Sequence, residues 1–153
     1  MLYTSEQKQR RDSTVWTVVQ GVLAPMQFLV FLVSVALVLR YLTTGDGYAL
    51  ATYSIILKTA FLLLIMVTGA IWEKVVFGQY LLAPAFFWED VVSFFVIALH
   101  LGYVIALMTN IMSKQQLMAL ALVAYAAYVV NALQFILKLR AARLQSTTGA
   151  SYA

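Results

Sequence analysis

The chain has 153 residues, 63% of them hydrophobic and 10% charged, with a mean hydropathy of +0.89. Soluble domains carry roughly 45–50% apolar and ~25% charged residues, so this is the composition of a membrane protein. The absence of cysteine excludes disulfides, thiolate metal centres and a cysteine nucleophile, and the single histidine, His100, excludes a multi-histidine metal site or a bis-histidine haem within one chain.

The N-terminal stretch "MLYTSEQKQRRDST" is polar, and the first apolar run after it lacks the short core and small-residue cleavage pattern of a signal peptide. Four apolar runs, at about residues 18–39, 49–72, 91–108 and 117–137, each reach the ~20 residues needed to cross a bilayer. In the first run Gln20, Gln27 and Ser34 recur every seven residues and so share a helical face, with Pro25 between them removing a backbone hydrogen bond. Polar side chains on such a face are expected to join helices by hydrogen bonds. Gly45-Asp46-Gly47 reads as a turn. The second run carries Lys58 about a third of the way in, where it is expected to snorkel outward rather than form a buried ion pair.

The connection "EKVVFGQYLLAPAFFWED" is apolar and aromatic, broken by Gly78 and Pro84, and is expected to lie along the membrane interface. At its ends stand three of the six acidic residues, in the pairs Trp72-Glu73 and Trp88-Glu89-Asp90. In the third run Glu89, Ser93, Val96, His100 and Tyr103 form one stripe at helical spacing, with Asp90 about 100° away; Glu89 to His100 is about 16 Å along the axis. The bland alternatives are carboxylates that cap a helix N-terminus and a histidine that only packs. In the fourth run Asn131, Gln134 and Lys138 share a face that lines a polar cavity or pairs with another helix.

Lys8, Arg10, Arg11, Lys74, Lys138, Arg140 and Arg143 fall on one side of the four runs, against Arg40 and Lys114 on the other. The excess of basic residues predicts both termini in the cytoplasm, and it is a topology signal with no nucleic-acid partner implied. The expected fold is all-α: a bundle of four transmembrane helices forming one domain over 1–145, with an interfacial aromatic segment between the second and third, and a disordered tail at 146–153. No phosphate-binding glycine loop and no Ser/His/Asp arrangement occurs. An apolar, aromatic bundle with a few polar groups suits a large, flat, membrane-soluble ligand.

The segments "WTVVQGVLAPMQFLVFLVS", "IMVTGAIWEKVVFGQYLLAPAFFWEDVVS" and "AYAAYVVNALQFILKLRAARL" resemble the 3-vinyl (bacterio)chlorophyllide hydratases of bacteriochlorophyll biosynthesis, over about residues 12–144. The block 72–90 is the most specific part. The resemblance implies a hydro-lyase that adds water across the 3-vinyl group of chlorophyllide a or a related chlorin, giving a 3-(1-hydroxyethyl) product. It also implies a photosynthetic bacterial inner membrane as location, no cofactor, and magnesium present only as part of the substrate. Within that reaction Glu89 is the expected general acid and Glu73 or Asp90 the base, since burial beside aromatics and a second carboxylate keep one carboxyl protonated. His100 is a candidate axial ligand to the substrate magnesium, or a proton relay. Trp72, Phe87 and Trp88 are expected to stack on the ring, with Gln27 and Asn131 as polar contacts. Lys74, Lys138 or Arg140 would meet the propionate. Partners expected besides chlorin and lipid are a second copy of the chain or other pigment-synthesis enzymes. Two other classes remain open: a pigment-binding assembly subunit, which needs no acid pair, and a small proton-coupled transporter, whose usual first-span carboxylate is missing here.

Overall fold

The computed structural model describes residues 2–151, with side chains for 2–145. It is helical throughout, with no strand among the described residues. Helix α1 (Ser5–Ser13) is a short polar helix that the composition alone does not announce. Its signal is the capping box at Thr4 and Gln7: Gln7 N donates to Thr4 Oγ1 at 3.1 Å and Thr4 N to Gln7 Oε1 at 2.9 Å. Thr14 is extended, ends α1, and caps α2 (Val15–Thr44) through its hydroxyl, which accepts from Trp16 N. Helix α2 continues unbroken through Pro25. It stops at Gly45, whose φ of +77° suits glycine and few other residues.

Helix α3 (Tyr48–Phe77) ends in the same way at Gly78, with φ +85°. A 3-10 turn (Pro84–Phe86) then leads into α4 (Phe87–Thr109), which Asn110 terminates with a left-handed backbone. Helix α5 (Lys114–Ser151) completes the chain. Of the expected tail, residues 152 and 153 lie outside the described residues, as do the side chains of 146–151. Among the described residues four segments are long and apolar enough to cross a membrane: Val15–Thr44, Tyr48–Phe77, Pro84–Thr109 and Lys114–Gln145. They outrun the apolar stretches that mark them because helical backbone hydrogen bonding continues past the point where side chains become polar.

Helix α2 packs mainly on α3 and α4 mainly on α5, so the bundle is two antiparallel hairpins laid together. Polar contacts join the helices, as the seven-residue spacing in α2 predicts. Gln20 Nε2 donates to Thr68 Oγ1 at 2.6 Å, and Ser34 Oγ lies 2.6 Å from Tyr125 Oη across to α5. A methyl group on Gly69 would press on Gln20 Oε1 at 3.3 Å, so glycine permits this approach of α2 to α3. The main core gathers Phe31, Val38, Ile55, Val96, Tyr103 and Met118. A second, aromatic cluster of Tyr3, Phe77, Trp72, Phe86 and Phe135 sits at the end of the bundle where the chain begins. The N-terminal segment is tied over it: Leu2 N donates to Gln145 Oε1, Gln145 Nε2 donates to Tyr3 O, and the Arg11 guanidinium lies 4.6 Å over the Tyr3 ring. Burial there pushes the Tyr3 phenol up, against the pull of Arg11.

Candidate functional site

The segment between α3 and α4 explains the two Trp-acid pairs. Leu82 holds a left-handed backbone, φ +60°, which costs a residue with a branched side chain about 1–2 kcal/mol. Two carboxylates offset that strain. Leu82 N donates to Asp90 Oδ2 at 2.8 Å, and Ala83 N donates to Glu73 Oε2 at 3.2 Å. Glu73 and Asp90 are also close enough to each other to interact. Both are buried. Each accepts from a backbone N–H, and together they latch the connection to the ends of α3 and α4.

Glu89 points elsewhere. It is buried in the first turn of α4, where the helix dipole favours a negative charge. Its Oε1 lies 3.6 Å from Lys138 Nζ, and its Oε2 has no hydrogen-bond partner. Lys138 in turn donates to Ala85 O at 2.7 Å, so one ammonium fixes both the 3-10 turn and the acid. The backbone of Glu89 is clamped as well. Asn131 Nδ2 donates to Glu89 O at 3.0 Å, and Ser93 Oγ lies 2.8 Å from the same carbonyl and 2.9 Å from Asn131 Oδ1. Glu89, Gln134, Leu137, Lys138 and Ala141 line an open groove of about 270 Å³. Its apolar side continues into the exposed face of α5 at Leu133 and Leu137.

The remaining residues singled out in the sequence are spread over the bundle. Trp72 donates through Nε1 to Thr17 Oγ1 at 2.9 Å and sits edge-on to Phe77 and Phe86, inside the aromatic cluster. Phe87 and Trp88 stack edge to face on the outside of α4, with Trp88 68% exposed. Lys74 donates to Gly78 O and closes the end of α3. His100 is buried deep in the bundle; its Nδ1–H donates to Val96 O at 2.8 Å, and Nε2 has no partner. At about 16 Å along α4 from Glu89, it does not meet the groove. Gln27 accepts a 3.0 Å hydrogen bond from Lys58 and is likewise internal.

Lys58 corrects an expectation. It is fully buried and does not snorkel, because its ammonium is satisfied inside the bundle by Gln27 and by the Tyr128 ring 3.7 Å below it. No carboxylate among the described residues pairs with it. Gln134 in the groove and Lys138 against α4 fit the expectation that the shared face of Asn131, Gln134 and Lys138 lines a polar cavity or pairs with another helix; that Glu89 is the partner is not legible in the sequence. Among the described residues no three potential metal-ligating side chains come together.

Residues 3–141 match the family model described as 2-vinyl bacteriochlorophyllide hydratase. The 2-vinyl bacteriochlorophyllide hydratase of Cereibacter sphaeroides is 67% identical over 143 residues, covering 94% of this chain and 89% of that protein. The protein of the same name from Rhodobacter capsulatus is 63% identical over 147 residues, covering 96% and 85%. No solved structure matches.

Proposed function

The chain belongs to the 2-vinyl bacteriochlorophyllide hydratase family, and from the arrangement around Glu89 we propose how it performs hydration. It is a membrane-embedded hydro-lyase of bacteriochlorophyll biosynthesis. The substrate we assign is a vinyl chlorin, chlorophyllide a or a close relative. Its vinyl edge enters the groove beside Glu89, while the flat ring lies on the lipid-facing surface of α5. A groove of about 270 Å³ suits the edge of a macrocycle rather than the whole of it.

The single observation that carries this reading is Glu89 itself: a buried acid at the groove with one oxygen beside Lys138 and the other unpartnered. Protonated Glu89 delivers its proton to the terminal vinyl carbon. The cation formed at the inner carbon is conjugated with the ring, and Lys138 steadies the carboxylate left behind. Water then adds to the inner carbon and returns a proton to Glu89. The carboxyl ends the cycle as it began, with H added to the terminal carbon and OH to the inner one. One carboxyl therefore acts in turn as acid and base. This departs from giving the base role to Glu73 or Asp90, each of which has an oxygen committed to a backbone N–H of the connecting segment. The addition is redox-neutral, so no electron carrier is required; the magnesium travels with the substrate.

The end bearing α1, the latch and the groove carries most of the basic residues, and we assign it to the cytoplasmic side of the bacterial inner membrane. The test is to incubate purified protein in lipid nanodiscs with chlorophyllide a and no added nucleotide or flavin. A product heavier by one water supports the reading; a strict need for an added redox cofactor overturns it.

A further inference from the structure

We propose that Gln134 positions the attacking water and thereby sets the configuration of the new hydroxyl-bearing carbon; this rests on the role assigned above to Glu89. Gln134 lines the same groove as Glu89 and Lys138. Its amide is not free to turn either way. Asn131 Nδ2 donates to Gln134 Oε1 at 3.2 Å, while the same Asn131 nitrogen donates to the Glu89 carbonyl at 3.0 Å. The oxygen of Gln134 is therefore committed to Asn131, and its NH₂ group is left as the donor available to the groove. Asn131 is itself buried and held by Ser93, so the orientation is inherited from the bundle core.

The groove then presents two complementary groups. Gln134 offers an N–H donor, and Glu89, once it has given up its proton, offers an acceptor. A water that accepts from the first and donates to the second is held at a fixed place relative to the vinyl plane. The planar cation has two faces, and an unheld water would attack either. A water bound between Gln134 and Glu89 reaches only one. Two of the three Lys138 N–H donors are taken up by Ala85 O and Glu89, so Gln134 is the uncommitted neutral donor beside Glu89. Gln134 is thus a positioning residue: it makes no bond to the reacting carbons and acts through the water.

The experiment compares wild type, Gln134→Met, Gln134→Glu and Glu89→Gln in nanodiscs, each checked for folding by its thermal melt and for chlorin binding by pigment absorbance. Gln134→Glu keeps an acceptor for Asn131 and removes the amide donor, so it remains informative should Gln134→Met fail to fold. Turnover is measured together with the ratio of the two configurations at the new carbinol, by chiral chromatography. We expect wild type to give one configuration in large excess. The Gln134 variants should turn over about 10- to 100-fold more slowly with little change in KM, and should yield a mixture of both configurations. A merely structural role would lower the melt without altering the ratio. Gln134 variants that keep the wild-type ratio while Glu89→Gln is inactive overturn this inference alone. Full activity of Glu89→Gln overturns the role of Glu89, and this inference with it.

Discussion

Glu89 and Lys138 face each other 3.6 Å apart, one from the first turn of α4 and the other from late in α5. The ammonium also bonds the carbonyl of Ala85, so the pair joins the connecting segment, α4 and α5 at one point. Burial makes this pairing consequential: a carboxylate at 6% exposure needs a partner, and only one of its oxygens has one.

Glu89→Gln keeps size and hydrogen-bonding capacity but cannot deliver a proton. Placed general acids contribute about 10²- to 10⁴-fold, so turnover should fall by that factor while pigment binding persists. Single-turnover hydration beside a binding titration checks both halves. A folded Glu89→Gln enzyme hydrating at the wild-type rate removes Glu89 from the chemistry.

For the latch the expectation is different. Glu73→Gln still accepts from Ala83 N through its amide oxygen, so it should fold and hydrate at near the wild-type rate. Glu73→Ala strands the buried N–H of Ala83, at a cost of about 1–3 kcal/mol, and Asp90→Ala frees the part-buried N–H of Leu82 at a smaller cost. Limited proteolysis should then cut residues 78–86 faster than in wild type. A hundredfold or greater rate loss in folded Glu73→Gln would place the pair in catalysis instead.

The centre around Lys58 yields a double-mutant test. Gln27→Leu deprives a buried ammonium of its hydrogen-bond acceptor and should lower stability by about 1.5–3 kcal/mol. Adding Lys58→Met removes the charge as well and should recover most of the loss. Thermal unfolding of the four proteins in one detergent measures the coupling. Equal, additive losses would show that Gln27 does not stabilise Lys58.

Topology is tested by reporter fusions. Reporters after Gly45 and Lys114 should read as periplasmic, and one after Gln145 as cytoplasmic. A periplasmic C-terminus would place the groove on the other side of the membrane and overturn the assignment.

The sequence by itself determined the class of fold and the inward faces. Runs of about 20 apolar residues mark spans because no shorter helix crosses the hydrocarbon, and helical periodicity is a local property. Accordingly Glu89, Ser93, Val96, His100 and Tyr103 all lie buried on one side of α4, as their spacing implied, and Gln20 and Ser34 reach across to neighbouring helices. The tertiary structure decided which of these groups meet. Asn131 holds the Glu89 carbonyl across 42 residues of chain, and Glu73 and Asp90 meet the connecting segment while Glu89 meets Lys138. Those choices depend on the rotation of each helix about its axis and on how deeply it sits against its neighbours. Both are set by the joint packing of four helices. The same packing buries Lys58 against Tyr128, keeps His100 away from the groove, and leaves one Glu89 oxygen without a partner.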